Sequence, residues 1–398
     1  MRVLMMIHRQ ADNSPYCFYV HEQAKALRAQ GHDVTVISCV GVMPMMQKLR
    51  PALAETNRRT PQKDVIDGIP VYFPRCLTLG NAGEKAIGGW LLYRAALPIA
   101  KALHREKPFD IVHAHMLPRD GHAGLLLARA LGVPVALTVH GTDIFHYFIP
   151  GKEPWKRNIR IAQDVDALMA VSSLLMSRVA PYRGEDRLSR VVQNGVDLSL
   201  VPNHEKRKPR SVISVGTLKA RKCMDRTLEA FVRLADEYPD ATLTIVGIGE
   251  MEEQLRARIG QLGLQSRVTL TGGLPHEEVL RRMAQSDLFV LPSWGEGYGI
   301  VYIEAMAAGC IAVGAKDEGI ADTITDGENG FLVPAGDIDE TERVMRQVFA
   351  HPEAYEALRQ KGMQSAHELT WARNAEKTAE VYREAIEHWR KEHAQARH

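Results

Sequence analysis

Residues 294–309 read WGEGYGIVYIEAMAAG and carry two glutamates, Glu296 and Glu304, in an otherwise small and apolar stretch. The preceding DLFVLPS reads as a strand, after which Gly295, Gly297 and Gly299 alternate with Trp294, Glu296 and Tyr298. Glycine permits backbone geometries that turn successive N–H groups toward one anion. The helix that follows starts near Gly299, so its positive dipole end faces the same place. This pattern predicts a seat for a phosphate or a polar sugar edge. Glu304 falls about one and a half turns into the helix, among Val301, Ile303, Ala305, Ala307 and Ala308. A carboxylate buried there costs several kcal/mol unless it has a partner. Helical side chains tilt toward the N-terminus, which aims Glu304 at the glycine loop. A vicinal diol such as a ribose would engage both of its oxygens; the alternative is a buried salt bridge to an arginine or lysine.

The elements that must hold such a loop are strands alternating with helices. RVLMMI, DVTVIS, DIVHAH, VPVALTVH and ALMAVSS read as strands in the first half. Helical patterns lie between them at 21–29, 90–103 and 123–131, the last stopped by Gly132 and Pro134. The segment 200–211, LVPNHEKRKPRS, is polar, basic and aperiodic and reads as a linker around 201–211. The alternation then restarts with SVISVG, TLTIVG, RVTLTG, LFVLPS, IAVGA and GFLVP, and helices are expected at 225–236, 250–260, 277–284 and 299–308. The chain closes on a charged helical pattern over 372–392. Alternation of this kind predicts an α/β chain with two doubly wound, Rossmann-like domains facing a cleft, 1–200 and 212–375, followed by a C-terminal helix, 376–398. In such sheets ligands bind at the carboxyl ends of strands.

Composition agrees. The 398 residues, 45% hydrophobic and 25% charged, are too many for one core, and two domains are the default. No window is apolar enough for a membrane span, and no leader is expected. Five scattered cysteines without a C-x-x-C pair predict a reducing, cytoplasmic setting with neither disulfides nor zinc. Charge divides unevenly, roughly +8 over residues 1–200 and −6 over 201–398. A basic first half suits an anionic neighbour, or is simply a solvated basic face.

The E-x7-E pair, Glu296 and Glu304, resembles the donor-site signature of retaining glycosyltransferases with the GT-B fold, carbohydrate-active family four. GHDVTVIS, TVHGTD, AVSS, NGVD, VGTLKARK, IVGIGE, SDLFVLPS and ENGFLVPAGD follow in that family's order. The resemblance covers nearly the whole chain and rests on the number and order of these stretches. It implies that Glu304 binds the nucleotide ribose and Glu296 the hydroxyls of the transferred sugar. Backbone amides of Gly297, Tyr298 and Gly299 would hold sugar and phosphate, and Lys222 the diphosphate. His140 would touch the sugar near the reacting carbon. Gly216, Thr217, Arg221 and Gly247 would complete the donor site, with the Gly247 loop facing the base, and the last helix would cross back to the first domain.

The chemistry supports this division of labour. A sugar nucleotide breaks its anomeric C–O bond as negative charge grows on the departing diphosphate, so fixed cations and amide dipoles dominate catalysis. Lys222, with Arg221 or Lys219, supplies them, and no metal or other cofactor is expected. The triplets Asp164–Asp166 and Asp337–Asp339 precede a strand and sit in a helix N-cap region, respectively. His113 and His115 share one face of a strand and read as structural or lining residues, without a third metal ligand. A turn at Asp317, Glu318 and Gly319 lies near the donor or is a solvated acidic turn.

Two positions depart from the family. Thr217 stands where a phosphate-binding arginine is usual, so that either Arg221 substitutes or diphosphate affinity falls. The loop after the first strand lacks the usual paired glycines, and Arg9 is its acceptor-side candidate. Residues 41–63 combine Met43, Met45 and Met46 with Lys48, Arg50, Arg58, Arg59 and Lys63. They predict peripheral contact with an anionic membrane or lipid-linked acceptor, or else an acceptor-side loop that packs its methionines inward.

The expected activity is transfer of a sugar from a nucleoside diphosphate to a glycan or lipid-linked acceptor with retention, in cell-surface polysaccharide or glycolipid assembly. It is set in the cytoplasm, at the inner face of the membrane, and involves no nucleic acid. The competing readings are a sugar-nucleotide epimerase on the same scaffold and a non-catalytic donor-binding subunit.

Overall fold

The computed structural model describes residues 1–8, 16–43, 48, 51–78, 80–152, 154–202 and 206–395, the side chains of 52 and 80–86 excepted. Arg9 and much of 44–50 lie outside the described residues. The chain forms two compact units, Met1–Gln193 with Trp371–His398, and Asn194–Thr370.

The first unit is built on strands β1 (Arg2–His8), β2 (Asp33–Val42), β3 (Lys63–Ile66), β4 (Ile69–Tyr72), β5 (Arg75–Leu77), β6 (Ile111–His115), β7 (Val135–Val139), β8 (Ala167–Ala170) and β9 (Leu188–Val191). Their order is β3-β4-β2-β1-β6-β7-β8-β9, with β5 paired to the end of β2. Every pair is parallel except β3–β4. A parallel sheet is covered on both faces, which is why its strands read as continuous apolar runs; Val3 to Ile7 are fully buried. The β3–β4 hairpin turns at Asp67 and Gly68, both at positive φ, the conformation a two-residue hairpin turn needs.

Helix Phe18–Ala29 covers one face of this sheet, and the final helix, Trp371–Gln395, packs on it. Ala375, Ala379, Tyr382, Ala385 and Ile386 join Val20, Ala24 and Leu27 in one buried cluster. Gln23 Nε2 donates to Asn374 Oδ1 at 2.7 Å and to Thr378 Oγ1 at 3.1 Å, satisfying polar groups inside that seam. The crossing back of the last helix is thus part of the first unit's core.

The second unit carries β10 (Ser211–Val215), β11 (Thr242–Val246), β12 (Val268–Leu270), β13 (Leu288–Val290), β14 (Ile311–Ala315) and β15 (Phe331–Val333). The order is β12-β11-β10-β13-β14-β15, all parallel. This is the doubly wound arrangement with its reversal between β10 and β13. Residues 206–210 pack within this unit: Lys208 N–H donates to Gln285 O and Arg210 N–H to Asp287 Oδ2.

The remaining sequence features find structural partners. All five cysteines are buried and free of disulfides. Asp164 pairs with Arg129, Asp166 accepts the Val135 amide, and Asp337 caps helix Ile338–Ala350 through the Glu340 amide. Arg58 and Arg59 on helix Pro51–Arg59 both pair with Glu55 one turn earlier. No described helix is long and apolar enough to cross a membrane.

Candidate functional site

In the second unit the reversal point brings together the loops after β10 and β13, where an open α/β sheet binds its ligand. The Trp294 N–H donates to Arg221 O at 2.9 Å and ties the two loops. Lys222, though a lysine, is buried; its Nζ donates to Glu296. Arg221 Nη1 donates to Gly295 O at 3.3 Å and lies 3.7 Å from the Glu296 carboxylate. Two cations and one carboxylate therefore converge on the mouth of the reversal point. A lysine enclosed in this way needs its anion, and a phosphate arriving here would compete with Glu296 for it.

The glycine loop behaves differently from the sequence expectation at its first two amides. Gly295 N–H and Glu296 N–H donate to the two oxygens of Glu318, at 2.9 and 2.7 Å. The anion that collects them is internal. The amides of Gly297, Tyr298 and Gly299 have no protein partner among the described residues. Gly299 caps helix Ile300–Ala307 in the left-handed conformation at φ 84°. Tyr302, fully buried, holds the first turn of that helix to the end of β13 through Leu291 O and Ser293 Oγ. Glu318 was not singled out as a clamp in the sequence because the amides it holds lie 22 and 23 residues away; the only local signal was an acidic turn after a strand.

The Glu304 carboxylate does not make, among the described residues, the arginine or lysine salt bridge that was the alternative to a ligand. Its Oε1 accepts from His276 Nε2 at 2.7 Å, and no described arginine or lysine pairs with it. His276 opens helix His276–Ala284. One oxygen is therefore occupied by an imidazole, and the side chain is partly open rather than sealed in the core. Sequence reasoning missed His276, which lies in another helix 28 positions away.

Gly216 and Gly247, expected to touch a ligand, have a packing role in this unit. A Cβ on Gly247 would lie 1.8 Å from Gly216 O, and one on Gly249 2.5 Å from Leu218 O. The loops after β10 and β11 lie backbone against backbone. Thr217 is exposed at the surface of the first of these loops.

In the first unit, His140 follows β7, and Gly141 takes φ 126° immediately after it. Asp143, wholly buried, accepts the amides of His140 at 3.1 Å, Gly141 at 2.8 Å and Leu117 at 3.1 Å. Those amides oppose the rise in its pKa that burial causes. His140 Nε2 lies 3.1 Å from His115 Nδ1, and the Tyr19 ring sits on it at 4.1 Å. Burial lowers the His140 pKa to about 3, so the imidazole is neutral at physiological pH. Its Nδ1 is buried without a partner among the described residues. His113 is likewise pushed to about 3 by burial; it is held by Thr138 Oγ1 on one side and Tyr382 on the other. Among the described residues no cluster of three histidine, cysteine or acidic side chains could hold a metal ion.

Comparison with known proteins matches this chain to two family descriptions. "Glycosyltransferase Family 4" covers residues 18–200 and "Glycosyl transferases group 1" residues 199–365. Glycogen synthase of Mycobacterium tuberculosis is 27% identical over 387 residues, spanning 92% of this chain and 89% of that one. Among solved structures, sucrose-phosphate synthase from Thermosynechococcus elongatus superposes with a TM-score of 0.76 at 18% identity, covering 96% of this chain and 98% of that one. Anabaena Alr3699/HepE, solved in complex with UDP-glucose, superposes at 0.68 with 19% identity, covering 96% and 99%.

Proposed function

Because the chain belongs to glycosyltransferase family four and has the GT-B fold of two Rossmann-like units, we propose that it moves a sugar from a nucleoside diphosphate to a glycan or lipid-linked acceptor with retention of anomeric configuration. The observation that carries the donor half is the convergence of Lys222, Arg221 and Glu296 with the unpartnered amides of 297–299. These groups match a departing diphosphate in charge. Cations and amides held in place before the reaction stabilise growing negative charge without reorganising, so the site works without a metal. Arg221, already beside Glu296, takes the part of the cation absent at Thr217. Glu296 holds sugar hydroxyls once phosphate has displaced it from Lys222, and Glu304 receives the ribose. Gly216 and Gly247 shape the loops beside the base. His140 is neutral and suits a sugar hydroxyl better than a phosphate.

The named relatives act on sugars, and one neighbour was solved with UDP-glucose, which supports a nucleotide-sugar donor here. A setting at the cytoplasmic face of the membrane, in polysaccharide or glycolipid assembly, fits the basic first half of the chain. Residues 41–63 would make the membrane contact. An epimerase would need a pair of acid and base carboxylates facing the sugar, and the donor-side carboxylates Glu296, Glu304 and Glu318 are each held by a cation, an imidazole or amides.

The test is a melting-temperature panel of uridine, guanosine and adenosine diphosphates and their sugars against wild type and Glu304→Ala. A ligand bound only by the folded state must raise its melting temperature. One nucleotide is expected to stabilise wild type and fail on the variant. Stabilisation by none, with Glu304→Ala melting early, removes the donor site from the account. The anomeric coupling in the first product formed then reads retention or inversion.

A further inference from the structure

The consecutive amides 295–299 in the loop after β13 divide into two sets. Those of Gly297, Tyr298 and Gly299 have no partner among the described residues, whereas Gly295 and Glu296 donate to the two oxygens of Glu318. The contact runs both ways, because Gly319 N–H donates to Glu296 O at 3.1 Å. Residue 296 is thus gripped at its N–H and at its C=O, and its side chain is held at the far end by Lys222. The grip is anchored in the sheet. Lys316 N–H donates to Val333 O at 2.8 Å, Asp317 turns the chain at φ 66°, and Glu318 O accepts the Ala321 amide at 3.0 Å. A non-glycine residue at positive φ is strained and concentrates at functional sites. A charged acceptor makes stronger hydrogen bonds than a neutral one, and a carboxylate bridging two successive amides fixes both peptide planes. Its charge, however, repels a phosphate seated on the neighbouring amides. What Glu318 supports is therefore something other than phosphate affinity.

We propose that Glu318 is the positioning residue for recognition of the transferred sugar. It holds the backbone of residue 296 so that the Glu296 carboxylate, once phosphate has taken Lys222, meets the sugar hydroxyls at a fixed place and angle. A carboxylate that grips hydroxyls tolerates little displacement of its own backbone. Glu318 itself stays with the amides. The discrimination made by Glu296 thus depends on a residue 22 positions away. This rests on the transferase reading, which assigns the sugar to Glu296. The charge of Glu318 gives the two parts of the donor opposite responses to its removal. Glu318→Gln takes a repulsive charge away from the diphosphate. It also leaves one loop amide facing an NH₂ group instead of an acceptor. The diphosphate should keep or gain affinity, while the sugar loses its hold.

Two measurements on the full chain test it. The first is titration calorimetry of wild type and Glu318→Gln with a nucleoside diphosphate and with its sugar: UDP against UDP-glucose, GDP against GDP-mannose, ADP against ADP-glucose. For the pair that binds wild type, the ratio of the diphosphate Kd to the nucleotide-sugar Kd is expected to fall about 10-fold in the variant. The diphosphate itself should bind as in wild type or more tightly. Equal weakening of both ligands marks a merely structural role and overturns the proposal, as does an unchanged ratio. The second measurement needs no variant. Trp294–Gly295 and Tyr298–Gly299 are the only Trp–Gly and Tyr–Gly pairs in the sequence. Carbonyl-¹³C tryptophan and tyrosine with ¹⁵N glycine therefore assign both amides in wild type. The nucleotide sugar should shift the Gly299 amide and leave Gly295, still held by Glu318, nearly unmoved. A shift of Gly295 as large as that of Gly299 shows the clamp releasing and overturns the proposal. If none of these ligands binds wild type, the transferase reading falls and takes the proposal with it. A wild type that binds donor beside a Glu318→Gln with the wild-type ratio removes the proposal alone.

Discussion

Glu304 has one carboxylate oxygen committed to His276 Nε2 at 2.7 Å, which leaves the other for a ligand. A ribose held by that remaining oxygen is held mainly through one hydroxyl. A hydrogen bond to a charged acceptor contributes about 1.5–3 kcal/mol. Of a 2′-deoxy and a 3′-deoxy nucleoside diphosphate, one should therefore bind ~10-fold or more weakly than the parent and the other nearly as well. Titration calorimetry of the three nucleotides checks this. Equal losses from both would show that His276 gives way and the carboxylate spans the diol. Glu304, Glu296 and Lys222 were legible in the sequence because they lie beside a strand end and a glycine loop. His276 and Glu318 were not, because each reaches its partner across the fold rather than along the chain.

At the scale of elements, close backbone approach sets the loop geometry. A Cβ on Gly319 would lie 2.1 Å from Gly297 O, an impossible contact unless the glycine loop moves. Gly319→Ala should displace the loop amides and lose nucleotide binding, along with roughly 2 kcal/mol or more of stability. Gly263→Ala serves as the control. Its positive φ of 66° is strained for alanine, but nothing lies within 4 Å. It should cost about 1 kcal/mol and bind nucleotide normally, as read by melting with and without ligand. The ends of β6 and β7 carry a second element-scale consequence. His113 and His140 are held near 3 by burial, and His115 well below its ordinary value. The unfolded chain binds protons below about 6.5 and these folded histidines do not, so first-unit stability is full above that pH and falls from ~6.5 toward 3. Each histidine should cost about 1–2 kcal/mol by pH 5. Unfolding monitored at pH 5 should take up nearly three protons more than at pH 8 from this cluster, and His113→Phe should remove about one. The strands carrying these histidines were plain in the sequence as continuous apolar runs. The β3–β4 hairpin was not, because each strand is only four residues long and β3, at the sheet edge, is largely exposed. Its Asp67–Gly68 turn was the one signal available.

For the whole molecule, the two units differ in what they should feel when a nucleotide binds. Every proposed phosphate and ribose contact belongs to Asn194–Thr370, whereas the last helix belongs to the first unit despite following the second in sequence. Trp294 is the only tryptophan between 194 and 370, and it is 53% exposed beside the cation pair; Trp90, Trp155, Trp371 and Trp389 lie in the first unit. The fluorescence lost on replacing Trp294 by phenylalanine thus reports the second unit, and what remains reports the first. At a nucleotide concentration 100 times Kd, the folded second unit gains about 2.7 kcal/mol. The Trp294-dependent transition should move up by several degrees. In Trp294→Phe, the transition of the remaining four should stay where it was if the units unfold independently. If all five move together, the two chain crossings at 193–194 and 370–371 transmit the stabilisation, and the chain melts as one cooperative body. A shift confined to the first-unit tryptophans would place the nucleotide on the wrong sheet and remove Lys222, Arg221 and Glu304 from its binding.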